Sequence, residues 1–82
     1  MKINVDTALH QDDVVELLKK QKEPTYEFLG LLAGTRTTLQ FNVDDDFEVP
    51  EDYDDIFEFT KSLIKKEPWS VGMQIRVSKA LF

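Results

Sequence analysis

Nine carboxylates fall between Asp44 and Glu58, and no lysine or arginine occurs between Arg36 and Lys61. The other seven acids and all ten bases lie outside that stretch, so the net charge of −6 is not spread over the chain. It is concentrated in one acidic segment of an otherwise slightly basic sequence. Such a segment attracts cations or a basic protein surface and repels phosphate backbones and anionic lipid. Like charges four residues apart on a helix repel by a few tenths of a kcal/mol, roughly, so clustering them opposes folding. That cost makes a binding role worth weighing against a merely solvated surface.

The spacing suggests a geometry. Glu51, Asp54, Asp55 and Glu58 follow an i, i+3, i+4, i+7 pattern, which on a helix is a single row with carboxylates about 5 to 6 Å apart. That approaches the spacing of backbone phosphates, so the row would suit a basic groove built for nucleic acid, as a DNA mimic does. Asp44, Asp45, Asp46 and Glu48 precede it. Aromatic residues lie nearby, and Phe47 among the acids or Trp69 after them could be the apolar anchor inside a charged rim that protein interfaces use. Folding back of these aromatics onto the core is the structural alternative. The candidate partner-binding set is therefore Asp44, Asp45, Asp46, Phe47, Glu48, Glu51, Asp54, Asp55, Glu58 and Trp69.

Other chemistry finds little support. Asp44, Asp46 and Glu48 resemble the opening of a calcium loop, but Val49 stands where the loop needs glycine and Asp55 where it needs a bidentate glutamate. No metal site is expected. There is no cysteine, which removes thiolate ligands, cysteine nucleophiles and disulfides. His10 is the only histidine, and at a helix start it reads as a cap or surface residue rather than an acid–base catalyst. Ser62, Ser70 and Ser78 lack nucleophile-elbow glycines, and Gly30 and Gly34 do not make a phosphate loop. The expectation is a protein that is not an enzyme and carries no cofactor.

The elements that position these residues follow from periodicity. With 82 residues, 41% hydrophobic and nine aromatic, the chain reads as one globular domain over residues 1–82, too small for a large internal cavity. Lys2 to Val5 alternates as a strand. Val14, Val15 and Leu18 recur at helical spacing between Asp12, Asp13 and Lys19, Lys20, which predicts a helix over about residues 10–21, with Leu9 stapled onto Val14. Thr25 to Leu32 and Arg36 to Val43 read as a hairpin around Ala33-Gly34-Thr35. Pro50 is placed to open a second helix that Pro68 ends, with Tyr53, Ile56, Phe57, Thr60, Leu63 and Ile64 on its apolar stripe. Met73, Ile75 and Val77 alternate with Gln74, Arg76 and Ser78 as a closing strand.

The order βαββαβ predicts an α+β fold of the ferredoxin-like, split-βαβ kind: a four-stranded antiparallel sheet with two helices on one face. A three-stranded sheet with two helices, lacking the first strand, is the alternative. The outward positions Lys2, Asn4, Thr38, Gln40 and Asn42 are not the aromatics that an RNA-reading sheet needs, so direct nucleic-acid binding is not expected. No apolar stretch is long enough to cross a bilayer and Met1 to Val5 lacks a signal-peptide pattern, so cytoplasmic residence without membrane association is expected.

Three functional readings result, the least supported being a metal-binding or hydrolytic protein centred on Asp44 to Asp55, where several carboxylates could hold a divalent cation loosely. The first is a non-enzymatic acidic factor that blocks or regulates a basic, nucleic-acid-handling or toxin-like protein. The second is a small homo-oligomeric assembly subunit. Tyr26, Phe28 and Leu32 can face the core, leaving Leu29 and Leu31 together on the other side for self-association, unless Leu81 and Phe82 cover them.

Overall fold

A computed structural model describes residues 1–81; Phe82, expected above as a cover for the leucines, lies outside the described residues. The chain runs β1 (Lys2–Asp6), α1 (Gln11–Lys19), β2 (Tyr26–Leu31), β3 (Thr38–Val43), α2 (Ile56–Lys65), a short 3₁₀ turn (Pro68–Ser70) and β4 (Arg76–Lys79). The strands form one antiparallel sheet in the order β2-β3-β1-β4. This is the α+β, split-βαβ arrangement compatible with a ferredoxin-like fold, and the first strand belongs to it.

Register decides the two faces. Ile3 lies opposite Phe41, and Val5 lies opposite both Leu39 and Val77. Residues directly across an antiparallel pair share a face. That face is covered by Val14 and Leu18 of α1 and Ile64 of α2, all fully buried with Ile3, Val5 and Phe41 in one cluster. Burying each such side chain stabilises the fold by about 1.5 to 3 kcal/mol. The opposite face carries Asn4, Gln40 and Ser78 in one row and Asp6, Thr38 and Arg76 in the next. Gln40 Nε2 donates to Asn4 Oδ1 at 3.0 Å, and the Thr38 hydroxyl donates to the Asp6 carboxylate. Alternation thus turns polar side chains outward and lets them bond across strands.

Several elements differ from expectation, each for a local reason. His10 precedes α1 with a left-handed backbone, φ 55°, and its side chain does not cap the helix. Leu9 is 62% exposed, so the hydrophobic staple on Val14 does not form. The last strand begins at Arg76; Met73 and Ile75 are buried ahead of it, and Lys65 Nζ donates to the Met73 carbonyl at 2.6 Å. The hairpin turns at Leu32–Thr35, where Gly34 adopts φ 83°.

The largest differences concern α2 and β2. α2 starts at Ile56 rather than Pro50, because Asp55 is extended (φ −159°, ψ 179°) and its carboxylate accepts the Glu58 backbone N–H at 2.9 Å. That is an N-cap, and Asp55-Ile56-Phe57-Glu58 has the spacing of a capping box. On β2, the register with β3 shifts between Phe28 and Gly30, leaving Leu29 as the extra residue of a bulge. Leu31 therefore stands opposite Leu39, on the helix-bearing side, and does not share a face with Leu29 as strict alternation had predicted. Leu81 is 85% exposed and covers neither.

Candidate partner-binding surface

The acidic segment joins the end of β3 to the cap of α2 and lies at the sheet end where β1 begins. Its carboxylates divide into two groups. Three hold the structure: Asp44 Oδ2 accepts the Thr25 N–H at 3.0 Å, Asp45 Oδ1 pairs with the Met1 ammonium at 2.6 Å, and Asp55 caps α2. Asp46, Glu48, Glu51, Asp52, Asp54 and Glu58 are exposed and make no side-chain hydrogen bond or ion pair with any described residue. Of the nine, only Glu58 lies within the helix. The regular row of helical carboxylates, and with it the argument from phosphate spacing, is therefore not formed; the acids sit on an irregular loop with a turn closed by Tyr53 N–H to Pro50 C=O at 3.0 Å.

Aromatic packing shapes that loop. The Phe47 ring lies 5.2 Å from the Phe59 ring, and Tyr53 meets the same ring edge-on at 5.3 Å. Phe59, which is off the core-facing stripe, is the post on which the loop is hung. Phe47 is half-buried there and is not a free anchor. Such aromatic contacts are worth about 0.5 to 1.5 kcal/mol each beyond burial, enough to offset part of the repulsion among the acids.

Two concavities flank the segment. An open hollow of about 760 Å³ is lined by Lys22, Glu23, Pro24 and the run from Asp44 to Glu48. A smaller apolar cleft of about 270 Å³ lies between the loop and the core, bordered by Val43, Phe47, Val49, Ile56 and Phe57 with Asp44, Asp45 and Asp55 at its edge. Lys22 and the Met1 ammonium are thus spatial members of the surface that sequence reading missed. The available signal was topological: in a split βαβ the end of α1 returns to the sheet beside the end of β3.

Trp69 is not part of this surface. It lies in the turn beyond the far end of α2, partly buried against the core, and stacks on His10 with ring centres 5.5 Å apart. Ten helical residues, about 15 Å at 1.5 Å each, separate that turn from the cap at Asp55. His10 Nδ1 also lies 2.8 Å from Asp13 Oδ2. Of the residues resembling a calcium loop, Asp44 is taken by the Thr25 N–H while Asp46 and Glu48 are exposed, and among the described residues no three His, Cys, Asp or Glu side chains converge as metal ligands. No described helix is long and apolar enough to cross a membrane. No protein family, curated protein or solved structure gave a match to this chain.

Proposed function

We propose that the protein is a non-enzymatic, cytoplasmic, protein-binding factor whose acidic segment engages a basic surface on another protein and blocks or regulates it. The observation that carries this reading is the division of the carboxylates. Three are committed to folding the loop, whereas Asp46, Glu48, Glu51, Asp52, Asp54 and Glu58 are exposed together around an aromatic post, with no hydrogen-bond or ion-pair partner among the described residues. Their mutual repulsion is a standing cost that a cationic partner would relieve. Long-range attraction would speed encounter at low salt and fade as the Debye length shortens from about 10 Å at 0.1 M towards 3 Å at 1 M.

The test separates binding from folding by leaving Asp44, Asp45 and Asp55 intact. Affinity capture from source lysate compares the native protein with a variant carrying Asp46→Lys, Glu51→Lys and Asp54→Lys, with elution in a salt gradient. The expected result is a basic protein held by the native form, eluting at moderate salt and absent with the variant. Capture of the same proteins at the same salt by both forms would remove the reading.

A further inference from the structure

We propose that a second copy of this chain docks on the β2 edge and the neighbouring flank of α1, forming a weak symmetric dimer. This surface is separate from the acidic segment and does not depend on the function proposed above.

The backbone comes first. β2 ends the sheet order, so one side of it has no strand partner. Val43 N–H bonds to the Met1 carbonyl and Thr7 N–H to the Thr37 carbonyl, which directs the odd-numbered residues of β3 towards β1. Leu32 N–H bonds to the Thr38 carbonyl, so the even-numbered residues face β2. Phe28 is opposite Phe41, an odd position. By the alternation of an antiparallel ladder, the N–H and C=O of Phe28 point away from β3, to the open edge.

The side chains there are apolar. Phe28, Leu29 and Leu31 are 37%, 45% and 49% exposed. A groove of about 400 Å³ runs beside them, lined by Val15, Leu31 and Leu39 with Asp12 and Glu16 on its α1 wall. The other free edge is managed differently: β4 has only four residues and carries Arg76 and Lys79, features that discourage edge pairing. The bulge at Leu29 prevents a long added ladder on β2, which confines pairing to the stretch around Phe28.

Charge selects the occupant. Asp12, Val15, Glu16 and Lys19 fall at the three- and four-residue spacings that share a helix flank. Two copies related by a two-fold axis near Phe28 bring their α1 helices together antiparallel. Asp12 of each then faces Lys19 of the other, giving two equivalent ion pairs, and the two Phe28 residues exchange N–H and C=O across the axis. The Asp12 and Lys19 ends of this flank are complementary to each other, while the two Glu16 carboxylates come close to the axis and keep the dimer weak.

Light scattering from about 10 µM to about 1 mM protein reads the state directly, because exposed ion pairs and one short strand pairing hold the copies only weakly. The expected mass rises towards twice that of the chain, with the Phe28 amide slowing in hydrogen exchange as concentration rises. Asp12→Lys or Lys19→Asp alone turns two attractions into repulsions and raises the dissociation constant about tenfold, and the double reversal restores the native value. All three variants change exposed residues, and circular dichroism confirms their folding. A monomeric mass at the highest concentration overturns the proposal. So does a dimer indifferent to both single reversals, or a monomer that takes up a foreign basic, apolar peptide in the groove.

Discussion

The hydroxyl of Tyr26, on the edge strand β2, meets that of Thr60, on α2, at 2.7 Å inside the core. Tyr26 is 3% exposed and Thr60 is fully buried, so each is the other's means of satisfying a polar group away from water. Replacing Tyr26 by Phe strands the Thr60 hydroxyl and should cost about 1 to 2 kcal/mol in urea unfolding. Tyr26→Phe with Thr60→Val should recover part of that loss, and a double variant worse than the sum of the singles would contradict it.

The same pair predicts an alkaline limit. Burial pushes the Tyr26 phenol up to about 12, with the Thr60 hydrogen bond opposing the shift. The folded state therefore holds this proton more tightly than the unfolded chain, where tyrosine titrates near 10. The contribution is fully present below about pH 10 and is lost as pH rises through about 12. Thermal melts from pH 9 to 12 should show the native protein losing more stability across that window than Tyr26→Phe. Parallel decline of the two would assign the loss to other groups.

Asp55 belongs to the acidic segment and also caps α2, and two substitutions separate these roles. Asp55→Asn keeps an acceptor for the Glu58 N–H and should leave stability within a few tenths of a kcal/mol of native, approximately, whereas Asp55→Ala should cost about 1 kcal/mol. If partner capture follows charge, both variants weaken it equally. Weakening by Asp55→Ala alone would mean that the loop's shape matters more than its charge.

The strands and the polar face were legible because alternation along Lys2–Asp6 and Thr38–Val43 maps directly onto two faces of a sheet. The start of α2 was not, since Pro50 and the carboxylate spacing both mimic a helical turn. The better signal was Asp55 followed three residues later by Glu58, whose orphan backbone N–H the Asp55 carboxylate accepts. Tyr53 fitted the apolar stripe but packs on Phe59 from outside the helix. On β2, strict alternation put Leu29 and Leu31 on one face. Gly30, at φ 110°, marks the bulge that separates them, and an isolated glycine in a strand was the available hint. The separation of Trp69 from the acids needs the direction of α2, which no local pattern supplies.

Ser62 offers a stabilising change. Its hydroxyl oxygen is buried and has no hydrogen-bond partner among the described residues. Alanine removes an unmatched polar atom and favours the helix, so Ser62→Ala should raise stability by about 0.5 to 1.5 kcal/mol. A loss in equilibrium unfolding would mean that the oxygen is bonded in solution, most simply to water.

Trp69 and Phe59 exchange the roles their positions in the chain suggest. Trp69 stacks on His10 beyond the far end of α2, so Trp69→Ala should lower stability while leaving capture of a basic partner and its salt dependence unchanged. Phe59 supports both Phe47 and Tyr53. Phe59→Ala should cost about 2 kcal/mol and, without removing any charge, should weaken capture by letting the carboxylates spread apart. Hydrogen exchange would then quicken across residues 47–55 and stay unchanged at the other end of α2. Normal capture with fast exchange in that loop would show that the partner reads net charge alone. Loss of capture by Trp69→Ala would move the working surface to the opposite end of the molecule.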